Sequence, residues 1–296
     1  MQQRTPHMTE SVVIRPPNYD ERKHFFQVYN TGLPFVDETT PKKFEMSWER
    51  SAKDGRLEKL WRVALVDNRI VGVAVNIVNV PLRWGMIWEL AVIPEMRSKG
   101  VGRRLIAESE RILVEQKPKV KYLALGVKTE NLRAIALYER LGYGIRNVAL
   151  RMRGNVWKPK RVSDVVVQTP ELQHVPELRE LLPDAYWSSC SPSGWKAAIR
   201  DKNAHVFRSK TAKKVVGFAR IAPEEENPAI TGISFHVRPG FGQPFLESVI
   251  GTVKTPIVDL WVQDNHQDMI NHLFGRGLKR KESEFLMIKE LPKTAS

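Results

Sequence analysis

The chain has 296 residues, a length that suggests about two domains, and it carries a net charge of +14. Its single cysteine, Cys190, excludes an internal disulfide and a zinc site built from several cysteines, and reads as a free thiol in a reducing compartment. No apolar run reaches the roughly 20 residues that cross a bilayer, and the polar opening MQQRTPHMTE lacks the apolar stretch of a secretory signal, so the expectation is a cytoplasmic protein with no membrane partner.

In chain order, residues 12–15 read as a short strand and 20–29 as a helix with Asp20 at its N-cap. Residues 61–66 and 70–78 are β-branched runs around Asp67-Asn68-Arg69, the pattern of a hairpin with a short turn. Residues 86–92 form a strand ended by Pro94. Residues 98–116 are a loop running into an amphipathic helix, with Leu105, Ile106, Ile112 and Leu113 on one side. A strand at 122–127, a helix at 131–141 closed by Gly142, and a strand at 148–153 complete the first half. Strands that alternate with helices imply a partly parallel α/β sheet.

Residues 154–165 have no periodic apolar pattern and read as a connector. Beyond it the order recurs: strand 165–168, helix 172–182, hairpin 205–208 with 215–221, strand 229–237, helix 245–253, strand 257–262, helix 264–274 and strand 285–289. Asn131 and Asn265 lie 134 residues apart, and we read a tandem duplication of one fold, 10–154 followed by 164–292. Charge is unequal between the halves: residues 1–158 carry +11 and the remainder +3. An anionic ligand is expected in the first half. Nucleic acid is a weaker alternative, because no basic tract interleaves with aromatics.

The chemistry begins at Arg97-Ser98-Lys99-Gly100-Val101-Gly102, between a strand and a helix. Glycines let backbone N–H groups approach a ligand, and a helix N-terminus adds unpaired donors and the positive end of its dipole. Together they suit a pyrophosphate. The sequence G-x-x-x-x-G-K-[ST] is absent, and Leu105 stands where a dinucleotide fingerprint needs its third glycine. A turn with no ligand stays an alternative for this glycine pair alone.

The stretch from Leu90 to Ile106 resembles motif A of the GNAT superfamily of N-acetyltransferases, a strand, R/Q-x-x-G-x-G/A, then a helix. Val127 to Tyr143 resembles motif B, N-x-x-A-x-x-x-Y-x-x-x-G-F/Y. The resemblance implies an acyl-CoA N-acyltransferase fold, a mixed central sheet flanked by helices in two tandem copies. It implies acetyl-CoA as cosubstrate, a primary amine as acceptor, direct attack without an acyl-enzyme, and no metal. By the same resemblance, Leu90, Ala91 and Val92 pair with the pantetheine arm. Amides of Arg97, Ser98, Lys99, Gly100, Val101, Gly102 and Arg103 hold the pyrophosphate. Asn131 holds the pantetheine or caps its helix. Tyr138, two helical turns on, protonates the departing thiolate. Glu89, in an apolar strand, is the candidate base, directly or through water, with a structural or substrate-orienting role as the alternative. The N–H of Val92, or of a near neighbour, would polarise the thioester carbonyl.

The second half departs from this pattern. Its loop counterpart, Arg238-Pro239-Gly240-Phe241-Gly242-Gln243-Pro244, is shorter, and its prolines remove amides. The tyrosine position falls on His272 or Leu273, so this half is expected not to catalyse. His236, His266 and His272 are not at a metal-ligand spacing. A protein that binds acetyl-CoA and reports it without turnover is the competing reading.

Overall fold

The computed structural model describes residues 11–33, 39–80, 83–117, 119–162, 164–181, 192–224 and 227–292. Cys190 and the end of the helix expected at 172–182 lie outside them. Contacts divide the chain into two compact units that do not follow chain order. The first takes the chain up to Gly126, Asn131–Gly144 and the end from Ile288; the second takes Val127–Glu130 and Ile145–Met287. No helix among the described residues is long and apolar enough to cross a membrane.

The first unit contains β1 (Val13–Arg15), α1 (Arg22–Gly32), α2 (Pro41–Lys53), α3 (Arg56–Leu60), β2 (Trp61–Val66), β3 (Arg69–Asn79), β4 (Trp84–Val92), α4 (Val101–Val114), β5 (Tyr122–Lys128) and α5 (Leu132–Arg140), with the last two residues of β5 counted in the second unit. Strands β1 to β4 pair antiparallel in sequence order, and β4 pairs with β5 in parallel. The β2–β3 turn is tight because Asp67 and Asn68 both adopt positive φ, 48° and 61°, which gives the twist a two-residue hairpin needs.

The sequence reading assigns no element to residues 41–53, where α2 forms. Pro41 opens α2, and the Thr40 hydroxyl accepts from the Lys43 N–H at 3.3 Å. Phe44 and Trp48, one turn apart, then meet Phe25 of α1 and Trp61 of β2. The ring centroids of Phe25 and Trp61 stand 5.2 Å apart, and those of Phe25 and Trp48 5.4 Å. All four rings are buried. This aromatic cluster anchors α1 and α2 to the sheet.

The second unit contains β6 (Gly144–Asn155), β7 (Val165–Gln168), α6 (Val175–Leu178), α7 (Pro192–Arg200), β8 (Ala204–Ser209), β9 (Lys214–Pro223), β10 (Ile230–Val237), α8 (Gly242–Ile250), β11 (Ile257–Gln263), α9 (Gln267–Gly275) and β12 (Lys279–Glu290), whose last three residues count in the first unit. Strand β6 pairs antiparallel with β11, Ile257 opposite Asn155 through Gln263 opposite Ala149. Strand β11 runs parallel to β10, and β10, β9, β8 and β7 follow antiparallel. The expected helix at 172–182 is instead a turn of 3-10 helix, α6 and a second 3-10 turn, Pro176 having no N–H to continue the regular pattern.

The buried Glu247 of α8 fixes the connector. Its carboxylate accepts from the Lys160 N–H at 2.6 Å, Trp157 Nε1 at 3.2 Å and Arg276 Nη2 at 2.5 Å, and stands 2.7 Å from His272 Nε2. Burial opposes its charge, but these donors outweigh burial and hold its carboxyl below the ordinary range.

Helix α1 approaches β4 closely because its last residue is Gly32. A β-carbon there would lie 2.6 Å from Ala91 Cβ and 3.0 Å from the Val92 nitrogen. Gly32→Ala is expected to destabilise the fold by about 1–3 kcal/mol through overpacking. That outweighs the gain of up to about 1 kcal/mol that alanine brings to a helix interior. A urea midpoint equal to or above wild type would refute this.

Candidate active site

Strand β4 carries one more residue than β3 at its centre. Glu89 stands opposite Val75 and Ile87 opposite Asn76, so Trp88 is the extra residue of a bulge. The bulge brings consecutive side chains, Trp88 and Glu89, toward one face; Trp88 is 41% exposed. It also coincides with a parting of strands. The parallel register of β4 with β5 runs from Trp84 opposite Tyr122 to Ile87 opposite Leu125. Past that point β4 keeps its register with β3 only, through Val92 opposite Gly72.

Backbone direction in the parted stretch follows from one hydrogen bond. The Ile93 N–H donates to the Val71 carbonyl at 3.0 Å, toward β3. Neighbouring residues of a strand alternate, so the N–H of Val92 points away from β3, to the side from which β5 has parted. Leu90 does the same by the same alternation. Ala91 and Val92 are buried and Leu90 half-buried.

The loop that follows ends in a helix N-terminus. A 3-10 turn, Pro94–Met96, leads into Arg97, Ser98 and Lys99. Ser98 and Gly100 both have positive φ, 65° and 85°, and Gly100 caps α4. The first intrahelical bond runs from the Arg104 N–H to the Gly100 carbonyl at 3.1 Å. The N–H groups of Val101, Gly102 and Arg103 precede it and have no acceptor within the helix. A β-carbon on Gly102 would make ordinary van der Waals contact with Val92 Cγ2 and Leu90 Cδ2, at 3.8 and 3.9 Å, so the first turn of α4 lies against the end of β4. Ser98, Lys99, Gly100 and Arg103 are exposed.

Arg97 does not aim its charge at this space. Its Nε donates to the Val92 carbonyl at 3.1 Å and its Nη2 to the Gly32 carbonyl at 3.4 Å, binding the loop to the ends of β4 and α1. The cation that reaches the loop from elsewhere is Arg133 of α5, which donates to Ser98 Oγ. Asn131 caps α5, its Oδ1 accepting from the Ala134 N–H at 3.2 Å.

Glu89 faces two tyrosines. Tyr29 of α1 hydrogen-bonds Glu89 and Thr39; burial first, then the Glu89 charge, drives its phenol well above the ordinary range. Tyr138 of α5 is buried, and burial followed by the charge of Glu89 pushes its phenol up to about 12. The Glu89 charge thus acts on a buried, protonated phenol near the parted strands. Neither Tyr29 nor Trp88 carries a motif. Only the placement of α1 and the bulge reveals them.

The second unit repeats this frame without its chemistry. Val237 stands opposite Gly217 in β9 as Val92 stands opposite Gly72, which puts Ser234 in the place of Glu89. The register of β10 with β9 runs from Thr231 to Val237 without a bulge. The Arg238 N–H donates to Val216 as the Ile93 N–H donates to Val71, yet the left-handed glycine comes at Gly240, two residues on, against seven from Ile93 to Gly100. The missing five residues are those that carry Arg97, Ser98 and Lys99. In α9 the Leu278 N–H returns to the Leu273 carbonyl as the Tyr143 N–H returns to Tyr138. Of the two residues the sequence left open, Leu273 holds the tyrosine position, and it has no proton to give. The same alignment sets Asp268 in the place of Arg133. A β-carbon on Gly242, at the start of α8, would lie 2.5 Å from the Asp268 carboxylate and 2.4 Å from Met269 Cγ. The first turn of α8 is thus covered by the protein's own anion.

Residues 22–143 match the family described as Acetyltransferase (GNAT) family. No curated protein matches the chain. Among solved structures it is similar to a GCN5-related N-acetyltransferase from Sphaerobacter thermophilus, at 16% identity and a TM-score of 0.66, over 94% of this chain and 95% of that one. It is also similar to a GCN5-related N-acetyltransferase from Kribbella flavida, at 14% identity and a TM-score of 0.63, over 95% and 72% of the two chains. A tandem GNAT protein from the clavulanic acid biosynthesis pathway matches at 12% identity and a TM-score of 0.61, over 96% and 100%. At these identities the likeness is one of fold.

Arg97→Ala removes both bonds that hold the loop to β4 and α1. The expected cost is about 2 kcal/mol, as for a hydrogen-bonded charged group. Arg97→Lys is expected to lose most of it, because one ammonium cannot serve both carbonyls as the planar fork does. A denaturation midpoint for Arg97→Lys equal to wild type would refute the fork.

Proposed function

We propose, from the match of residues 22–143 to the acetyltransferase (GNAT) family, that this protein transfers the acetyl group of acetyl-CoA to a primary amine, with Glu89 as base and Tyr138 as acid. Acetyl transfer is the activity for which that family is named, and the match supports reading the chain as an acyltransferase. The observation that carries the finer reading is the parting of β4 from β5 beside a helix N-terminus with free amides. A pantetheine arm supplies the amide partners that the outward-facing N–H groups of Leu90 and Val92 need, and a pyrophosphate suits the first-turn amides of Val101, Gly102 and Arg103. The residues fit the cosubstrate.

Each step follows from a group of this chain. Glu89 takes a proton from the acceptor ammonium, directly or through water, and frees the lone pair for attack on the thioester carbonyl. The Val92 N–H faces the carbonyl oxygen as charge grows there. Tyr138 gives its proton to the departing sulfur. A free thiol has a pKa of about 8.5, so a phenol at about 12 cannot stay ionised in its place and is reprotonated from solvent in each cycle. Tyr29 holds Glu89 in position. No thiol nucleophile is required.

We assign the first copy alone to catalysis. The second, which the sequence reading bounds at 164–292, lacks the acid and base at the matching positions and carries Asp268 over the start of α8. Its carboxylate repels a pyrophosphate there.

Isothermal titration with acetyl-CoA is expected to give one site per chain, lost in Gly100→Glu, whose side chain meets both a positive φ of 85° and the phosphate charge. Two sites would overturn the assignment of the second copy. With an amine panel, release of free CoA is expected to fall by about 10²–10⁴-fold in Tyr138→Phe and in Glu89→Gln. The alkaline pH limit tests the acid separately. The raised pKa of Tyr138 keeps its proton until about pH 12, so no earlier decline in kcat should be traceable to it. Removing the Glu89 charge lowers that pKa. Tight binding without turnover on any amine would favour a sensor.

A further inference from the structure

The end of the chain belongs to the first unit, and it reaches the neighbourhood of Tyr138. Leu291 donates its N–H to the Lys121 carbonyl at 3.0 Å, which fixes the strand end beside the start of β5. Two residues earlier, Lys289 passes Gly142, its Cε 3.8 Å from where a β-carbon would stand. Gly142 has a φ of 89° and ends α5. The Lys289 ammonium then meets two partners. Nζ lies 2.8 Å from Glu110 Oε2 on α4 and 5.8 Å from the ring centroid of Tyr143.

Tyr143 is buried and touches Tyr138 in two ways. Its N–H donates to the Tyr138 carbonyl at 3.0 Å, and its ring packs edge-on against the Tyr138 ring with centroids 6.2 Å apart. Lys289 therefore joins the helix whose N-terminus carries the phosphate loop, α4, to the helix that carries the acid, α5. The ring it lies over is the one that packs on Tyr138.

We propose that Lys289 is a positioning residue for Tyr138: paired with Glu110, it holds the Tyr143 ring, and that ring sets where the Tyr138 phenol points. This rests on the reading of Tyr138 as the acid. An exposed ion pair contributes little by itself. Here the two side chains are only 30% and 20% exposed, and both backbone segments are fixed by hydrogen bonds or a helix. A fixed cation over a ring face also restrains the ring's tilt. Proton transfer to a leaving sulfur is sensitive to sub-ångström misplacement of the donor, whereas binding on the loop amides is not.

The test separates kcat from KM and carries Tyr138→Phe beside it. In Lys289→Met, which keeps the stem and removes the charge, kcat is expected to fall about tenfold while KM for acetyl-CoA stays within about twofold. Lys289→Arg, still able to pair with Glu110 and lie over the ring, is expected to recover most of the loss. Glu110→Gln removes the charge partner but also touches Tyr143 directly, so it is read through the double variant, in which Lys289→Met should add little to its loss of kcat. Should Lys289→Met not fold, Lys289→Gln takes its place. Wild-type kcat in Lys289→Met with an inactive Tyr138→Phe overturns the positioning role and leaves the acid assignment standing. A proportional loss of kcat and of acetyl-CoA affinity, unrescued by arginine, overturns it as a packing effect. Full kcat in Tyr138→Phe removes the acid assignment and this proposal with it.

Discussion

Backbone amides that leave a β-ladder inside a protein must find another partner, and the first unit is arranged around that requirement. Strand β4 stays registered with β3 to its last residue but leaves β5 after Ile87. The bulge at Trp88 allows both, since the extra residue bends the strand at the point of departure. Every other device follows from it. Gly32 lets α1 close on the parted stretch without filling it, Arg97 ties the loop to the same stretch, and the loop delivers a helix N-terminus alongside. In the proposed reading, an arm that is itself peptide-like and ends in phosphate suits both sets of donors at once.

The charges near this stretch are set against each other. Glu89 has two phenols for neighbours, and its charge raises the pKa of each, after burial has done so first. Burial keeps the phenols protonated, and the carboxylate adds to it. In the proposed reading, one carboxylate both serves as base and helps keep the proton of the acid in place. A helix from each side of the sequence is needed to build this, α1 for Tyr29 and α5 for Tyr138.

Duplication supplies an internal control. Both units hold a parallel strand pair that ends early, a left-handed glycine before a helix, and an arginine near that turn. What differs is chemical. Leu273 replaces the phenol, Ser234 the carboxylate, and Asp268 the arginine that reaches the loop. The frame survives because buried apolar side chains hold it, Phe245 on Gly217 as Leu105 on Gly72.

Much was legible in the chain itself. The period of apolar residues marked most strands and helices, the spacing from Asn131 to Tyr138 set two residues on one helical face, and the glycines with positive φ, Gly100 and Gly142, stood where a helix starts and ends. Local sequence determines these because they depend on neighbours within one or two turns. The helix at 41–53 had its signals, Thr40-Pro41 and the Phe44–Trp48 spacing, but its apolar face gains meaning only against Phe25 and Trp61. Other features have no local signal at all. The bulge at Trp88 exists only as a mismatch between two strands, and the Glu89–Tyr29 contact joins residues 60 positions apart. Which compact unit holds each later segment, Ile145–Met287 in one and Ile288 onward in the other, depends on strand partners. A strand's own pattern states which face is apolar and never which neighbour it will choose. Sequence determined most of the elements and the spacing of the motifs. Tertiary structure alone decided the partners, and with them the surroundings of Glu89 and Tyr138.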